Sequence, residues 1–258
     1  IAAEPCEGFK PGEHLSAAAL PLLKTLESDA ILRAEAHRHA HSTYSAWGND
    51  LLVERNAIVQ LEGPPTVLDR AAFEDTLAAQ AVAAGATRIA CDVDDVQVVD
   101  GSWRLSSAAG DFKTAFVFDA PGRKAIIASR FGTRFQADKL CCQYALLTGA
   151  KDPRPGTLIE AVEHGWWYLS VLADGRVVLN YYTDPDMPGL DPQGFETRAR
   201  ETQAIGAYMS DHGYDTCGTP RRITTNSTWI APAIGAGWVA IGAAAAAFDP
   251  LSSHGMPT

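Results

Sequence analysis

Residues 160–184, "EAVEHGWWYLSVLADGRVVLNYYTD", constrain the fold more than any other part of the chain. Two runs rich in aromatic and β-branched residues flank an Asp-Gly turn, the pattern of two strands joined as an antiparallel pair. Neighbouring side chains on a strand point to opposite faces, so Trp166 and Tyr168 share one face and Trp167 takes the other. The extended pattern runs over most of 136–184, which predicts an antiparallel sheet.

Helix signals are fewer. Residues 16–26, "SAAALPLLKTL", have helical apolar spacing with Pro21 in the first turns. Residues 66–86, "TVLDRAAFEDTLAAQAVAAGA", begin at the N-cap candidate Asp69 and end at Gly85. Residues 51–61 read as extended. Strands are predicted at 87–91, 93–99, 103–107 and 113–118, a strand followed by a β-meander with "DGS" and "AAGD" as turns. Residues 191–213 read as polar and helical, and 221–231, "RRITTNSTWIA", as extended. Residues 238–256, "WVAIGAAAAAFDPLSSHGM", predict a buried strand, a tight glycine turn and a helix. That order presents backbone N–H groups to a phosphorylated or polyhydroxylated cofactor.

At 258 residues the chain can bury one large core or two interleaved ones. Its net charge of −10, with Lys and Arg scattered, offers no footprint for nucleic acid or an anionic membrane. Small-molecule or protein partners are expected instead. The cysteines at 6, 91, 141, 142 and 217 form no CxxC pair and fit a reducing cytoplasm better than a disulfide framework. "IAAEPCEGFK" lacks the charge and apolar run of a signal peptide, and Pro232, Gly235, Gly237 and Gly242 break the apolar tract near 230–248. Neither a leader nor a membrane span is expected, and the sequon at Asn226 matters only in a secreted protein.

Four segments, "PGEHL" (11–15), "LDRAAFEDTLAAQAVAAGA" (68–86), "FVFDAPGRKAIIASRFG" (116–132) and "GWVAIGAAAAAFDPLSSHGM" (237–256), resemble FAD-dependent oxidoreductases of the p-hydroxybenzoate hydroxylase type in order and spacing. Within that superfamily, 160–184 is similar to the branch of geranylgeranyl reductases, tryptophan halogenases and flavoproteins that oxidise a tryptophan of a partner protein. "SAWGND" (45–50), Trp166-Trp167 and "FDPLSSHGM" lean towards the last group. The resemblance implies an α/β (α+β overall) fold: a three-layer FAD-binding domain with an inserted antiparallel β-sheet substrate domain. The expected division is 1–45, 64–134 and 233–258 for the first and 46–63 and 135–232 for the second.

The implied activity is that of a monooxygenase in which reduced FAD captures O₂ as a C4a-hydroperoxide and hydroxylates an aromatic ring. The implied partners are an aromatic small molecule or a tryptophan-containing protein, with a flavin reductase or NAD(P)H as electron source. Among the residues, Gly12 and Glu13 match the loop beside the isoalloxazine, and Arg70 the position that reaches the FAD phosphates or ribityl chain. Gly122 allows close cofactor approach, and Gly242, Asp249, Pro250 and Gly255 line the flavin. Taken alone, Arg70 also reads as a solvated first-turn residue, Gly122 as part of an ordinary Pro-Gly turn, and 237–256 as a packed strand and helix. Trp47, Trp166 and Tyr168 are candidates for an aromatic substrate cavity, although at least one tryptophan of this group belongs in the core. His37, His39 and His41 alternate in "HRHAH", three imidazoles for one strand face: a relay, a metal site, or three solvated side chains. No metal is expected.

Three features depart from the family pattern. Ala243 stands where relatives carry an aspartate that binds the ribityl chain, and Pro121 where they carry a threonine. No GxGxxG occurs in the 258 residues, and the helices that usually follow "SSHGM" are absent. A second reading is therefore a flavoprotein-derived binding module, or a fragment, that no longer binds FAD. A third, halogenation, is weakened because "GWWYLSVL" departs from the "WxWxIP" motif.

Overall fold

The computed structural model describes residues 1, 9, 11–49, 51–57, 63–149 and 156–252. In chain order the strands are β1 (His14–Leu15), β2 (Arg38–His39), β3 (Ser42–Ala46), β4 (Val53–Asn56), β5 (Thr66–Val67), β6 (Val93–Val99), β7 (Ser102–Ser107), β8 (Gly110–Thr114), β9 (Val117–Asp119) and β10 (Thr133–Gln136). They continue as β11 (Cys141–Thr148), β12 (Thr157–Val162), β13 (Gly165–Val171), β14 (Val177–Thr183), β15 (Asp215–Thr224), β16 (Thr228–Ala231), β17 (Ile234–Gly235), β18 (Trp238–Ala240) and β19 (Ala246–Ala247). The helices are α1 (Leu20–Thr25), α2 (Arg70–Ala83), α3 (Ala128–Phe131), α4 (Phe195–Arg200) and α5 (Ala204–Asp211). The fold is mixed α/β with several sheets.

Chain contacts define two units: Ile1–Gly12, Ala71–Ala137 and Ser227–Thr258 form one, and Glu13–Arg70 with Asp138–Asn226 the other. Residues 13–45 and 64–70, grouped by sequence with the first unit, fall in the second because β1, β5 and β2 form a small sheet there. Residues 135–137 and 227–232 fall in the first, where β10 pairs with β16.

The second unit is built on a seven-stranded sheet of order β15-β11-β14-β13-β12-β3-β4. It is mixed rather than antiparallel throughout, because β3 and β12 run parallel. One face carries Trp167, Leu169, Val171, Leu179 and Tyr181 onto Phe195, Ile205 and Met209 of α4 and α5. The segment that carries these helices is therefore amphipathic rather than uniformly polar, and it forms two short helices. Glu160, buried on β12, fixes them to the sheet: its carboxylate accepts the N–H groups of Gln203, Ala204 and Ile205 at 2.8, 3.0 and 2.8 Å. These are amides at the start of α5 that have no intrahelical acceptor, and an anion there also complements the helix dipole.

In the first unit, β6-β7-β8 form the predicted meander, and α2 ends with the N–H of Gly85 on the Val82 carbonyl and that of Ala86 on the Ala81 carbonyl. Residues 87–91 do not form the expected strand. They are largely exposed, with only a single bridge residue at Ala90. A second sheet, β17-β18-β9, has β9 and β18 parallel, and β10-β16-β19 forms a third. Trp103, Ile127, Ile230, Trp238 and Ala240 pack the core between them.

The alanine tract departs most from expectation. Instead of an α-helix it makes a 3-10 turn at Gly242–Ala244 and then strand β19. The Ile230 amide bonds the Ala245 carbonyl, and Ala246 and Ala247 pair with Trp229 and Thr228, so β16 recruits the tract as a strand. Tertiary pairing here overrides the helix preference of alanine. No helix among the described residues is long and apolar enough to cross a membrane.

Replacing Glu160 with Ala is expected to lower the free energy of unfolding by about 1–3 kcal/mol, with Glu160→Gln in between. Denaturant titration followed by tryptophan fluorescence checks this.

Candidate functional site

Each unit presents one chemically distinctive surface. In the first, the parallel strands β9 and β18 lie side by side, and a glycine follows the carboxyl end of each. Gly122 has φ +67° and Gly242 φ +56°, a backbone that side-chain-bearing residues rarely adopt. Their 3-10 turns, Gly122–Lys124 and Gly242–Ala244, pack on each other, and a Cβ at Gly122 would meet nothing within 4 Å. The carboxyl ends of parallel strands are where open α/β sheets leave their ligand crevice. This bare edge fits the close approach of a large cofactor, although it offers a 3-10 turn where the sequence predicts a helix N-terminus.

Asp119, absent from the predicted site, holds this edge in shape. Its buried Oδ2 accepts the N–H groups of Ile127 and Ala128 at 2.9 and 2.8 Å. Its carbonyl accepts the N–H of Ile241 at 3.1 Å. Asp249 is partly buried beside the exposed Pro250, and Gly12 is exposed with φ +94°. Arg70 is the partly buried first residue of α2. Gly255 lies outside the described residues.

The second surface is the face of the seven-stranded sheet opposite its apolar core. The register puts Trp166 across from Tyr182, Tyr168 across from Asn180, and Thr157 across from Ser170. Trp166 stacks on Tyr182 with centroids 5.0 Å apart and planes at 15°, and Trp47, half exposed, sits 6.1 Å from Trp166. Trp167 takes the core face, as alternation requires. Asn180 donates to the Tyr182 hydroxyl at 3.4 Å, while its own buried Oδ1 has no partner.

Over this face come two polar side chains, Glu13 just before β1 and His14 within it. Glu13 is only 3% exposed and accepts a hydrogen bond from the Tyr168 hydroxyl at 3.4 Å. His14 Nε2 lies 2.9 Å from Ser170 Oγ and 3.3 Å from Thr157 Oγ1. Burial holds the His14 imidazole below its ordinary pKa of 6.5, with the Glu13 charge opposing the shift and the Arg38 guanidinium adding to it. Burial pushes the Tyr168 phenol well above 10.0, reinforced by the Glu13 charge, and it does the same to Tyr182 beside Cys142. The Cys142 thiol is raised as well, chiefly by burial. The face therefore combines a stacking platform with neutral phenols and a neutral imidazole that can exchange protons.

Of the predicted residues, Trp166, Tyr168 and Glu13 meet on this face with Trp47 at its rim, and Gly122 and Gly242 meet on the other surface. Sequence reasoning missed His14, Thr157, Ser170, Asn180 and Tyr182. The alternation that exposed Trp166 and Tyr168 also places Ser170 on the same face. The HRHAH run does not form a three-histidine strand: β2 holds only Arg38 and His39, His39 and His41 rings are 6.2 Å apart, and His37 Nδ1 accepts the Asp69 N–H. Among the described residues no group of three or more His, Cys, Asp or Glu is arranged to hold a metal.

A family model described as tryptophan halogenase matches residues 66–258. LodB of Marinomonas mediterranea, carried under the name of an FAD-dependent oxidoreductase, is 25% identical over 229 residues, which is 82% of this chain and 60% of that protein. Among solved structures, peptidyl tryptophan dihydroxylase QhpG superposes with TM-score 0.72 at 22% identity, covering 95% of this chain and 54% of that one. A triple mutant of the flavin-dependent brominase Bmp2 gives 0.80 at 18% over 99% and 68%. The myxobacterial chondrochloren halogenase CndH gives 0.81 at 19% over 95% and 62%. The chain thus spans 60% of the curated relative and 54% of the dihydroxylase.

A base whose pKa is depressed by folding binds its proton more readily when unfolded, so its burial destabilises the fold progressively as pH falls below 6.5. His14→Gln is expected to remove this component, which approaches about 1.4 kcal/mol per pH unit for one proton. Unfolding free energies of both proteins between neutral and mildly acid pH measure it.

Proposed function

The chain belongs to the tryptophan halogenase family, and on that premise we propose that the protein is an FAD-dependent oxidoreductase that hydroxylates an aromatic ring, with a tryptophan of a partner protein as the favoured substrate. The observation that carries the reading is the aromatic face itself. Trp166 stacked on Tyr182, with Trp47 at the rim, provides a platform for a flat ring. Tyr168, partly buried and bonded to the buried Glu13, lies on the same sheet face. The name of LodB supports an FAD-dependent oxidoreductase, and that of QhpG supports a peptidyl tryptophan as substrate.

FAD, when bound, supplies the oxygen-activating redox chemistry. Gly122 and Gly242 would hold it through bare backbone, with Asp249 and Pro250 following in the same unit. Arg70 suits an anionic diphosphate because its planar fork donates two parallel hydrogen bonds. Trp166 and Trp47 orient the substrate ring by stacking, and the burial of Tyr182 and Asn180 keeps water from the base of the platform. Ala243 provides no acceptor for a ribityl hydroxyl, so binding is expected to be weaker than with an aspartate there.

The test supplies FAD, a reductant and oxygen, with free tryptophan, indole and a tryptophan-containing peptide as separate substrates. Mass spectrometry that finds added oxygen atoms on the peptide supports the reading. Halogen incorporation when chloride or bromide is present would replace it with halogenation. A protein that stays colourless with FAD yet binds the peptide is a binding module.

Trp166→Ala is expected to raise KM for the aromatic substrate by about 2–10-fold with a smaller change in kcat, the range that one lost stacking contact allows. Ala243→Asp is expected to tighten FAD binding by about tenfold through one restored charge-assisted bond. Isothermal titration of both forms with FAD measures the second effect. Unchanged affinity with a lower melting temperature would show that the turn does not face the flavin.

A further inference from the structure

We propose that the exposed apolar turn between β3 and β4, with Trp47, Leu51, Leu52 and Val53, is a docking shelf for an extended apolar segment of the partner protein, the segment that carries the tryptophan to the aromatic face. On the oxygenase reading above, on which this depends, the shelf distinguishes a protein-borne tryptophan from a free one.

Four large apolar side chains stand out of the fold in this one turn. Trp47 is 50% exposed, Leu51 72%, Leu52 50% and Val53 54%. Single exposed apolar residues are ordinary, whereas a contiguous group marks a contact surface. The register places the group against the platform. Ala161 pairs with Trp166 on one side, and on the other β12 runs parallel to β3 with Glu160 beside Ala46. Ala161 and Trp47 therefore continue the row of Trp166 across the sheet, and the Trp47 and Trp166 rings lie 6.1 Å apart. Val53 pairs with Ser45, which lies two residues before Trp47 and so on the same face. The platform thus runs on as apolar surface to β4, which ends the strand order among the described residues.

Size, charge and distance specify the occupant. The four side chains offer a few hundred Å², short of the roughly 800 Å² per partner that a stable protein–protein interface buries. A second copy of this chain gains too little from such a patch, and a peptide segment fits it. The net charge of −10 repels an acidic segment, and none of the described residues of 47–53 is charged. From β13 to β4 there are three strand spacings, about 14 Å, which an extended chain covers in about four residues. A tryptophan laid on Trp166 therefore brings the side chain about four positions away over the turn and Val53. The partner segment is extended, with a tryptophan, an apolar residue about four positions from it and no acidic residue between them.

Anisotropy of a labelled peptide tests this with neither FAD nor turnover. One peptide carries a single tryptophan with leucines four residues to either side, and its control has serine in place of the leucines. Wild type should bind the leucine peptide on the order of tenfold more tightly than the control. Leu51→Ser, Leu52→Ser and Val53→Ser combined should erase that difference, while indole, too small to span from Trp166 to β4, binds as it does to wild type. Equal affinity of wild type for the two peptides, binding of neither, or a difference that survives in the triple variant would overturn the shelf. The comparison on wild type needs no substitution in the protein, so it decides the matter even if the variant does not fold. Sedimentation velocity that finds a wild-type dimer and a monomeric variant would give the surface to a second copy and overturn the proposal as well. Oxygenation assays separate the two levels. A wild type that binds the leucine peptide preferentially but adds oxygen to no substrate defeats the oxygenase reading and leaves the shelf standing. Oxygenation of both peptides with the same kcat/KM defeats the shelf and leaves the oxygenase reading standing.

Discussion

Alternation along β13 and β14 divides one pair of strands between two incompatible environments, and the larger unit depends on that division. Trp167, Leu169 and Val171 face an apolar core with α4 and α5, while Trp166, Tyr168 and Ser170 face a polar aromatic surface. A slip of one residue would bury Tyr168 in the core and turn Trp167 into the site, so the register is fixed from both sides at once. Glu160 contributes from the neighbouring strand. By holding the first amides of α5 it ties the helical layer to the sheet.

The smaller unit solves a different problem. Its parallel pair, β9 and β18, must turn sharply at both carboxyl ends without a side chain obstructing the edge. Glycine at 122 and 242 permits the turns, and Asp119 stabilises them by accepting two amides of the following segment. A carboxylate in a motif expected to touch a cofactor therefore has a structural duty that its position in the sequence does not disclose. The two units thus present different surfaces: bare backbone at glycine turns in one, stacked rings and hydroxyls in the other.

The parts legible from the chain are those with a strong local period or punctuation. The hairpin around the Asp-Gly turn, the meander of β6 to β8, and α2 with its glycine stop all follow from spacing that local physics enforces. The misread parts share one cause. Residues 87–91 have strand-like composition but find only a single bridge, at Ala90, in place of a ladder. The alanine tract has helical composition, but β16 lies alongside and claims it as β19. In "HRHAH" the backbone leaves the strand after His39, so the alternation has nothing to act on.

What the sequence determined by itself is which side chains share a face: Trp166, Tyr168 and Ser170 on one side of a strand and Trp167 on the other, because the period of a strand is a local property. What only the tertiary structure decided is which residues meet across the chain. Glu13 reaches Tyr168 over a separation of 155 residues, and His14 reaches Ser170 over 156. No period links positions so far apart. Their meeting depends on β1 lying over a sheet whose strands come from the middle of the chain, and the acid meets the phenol, and the imidazole the hydroxyl, only after that packing is complete.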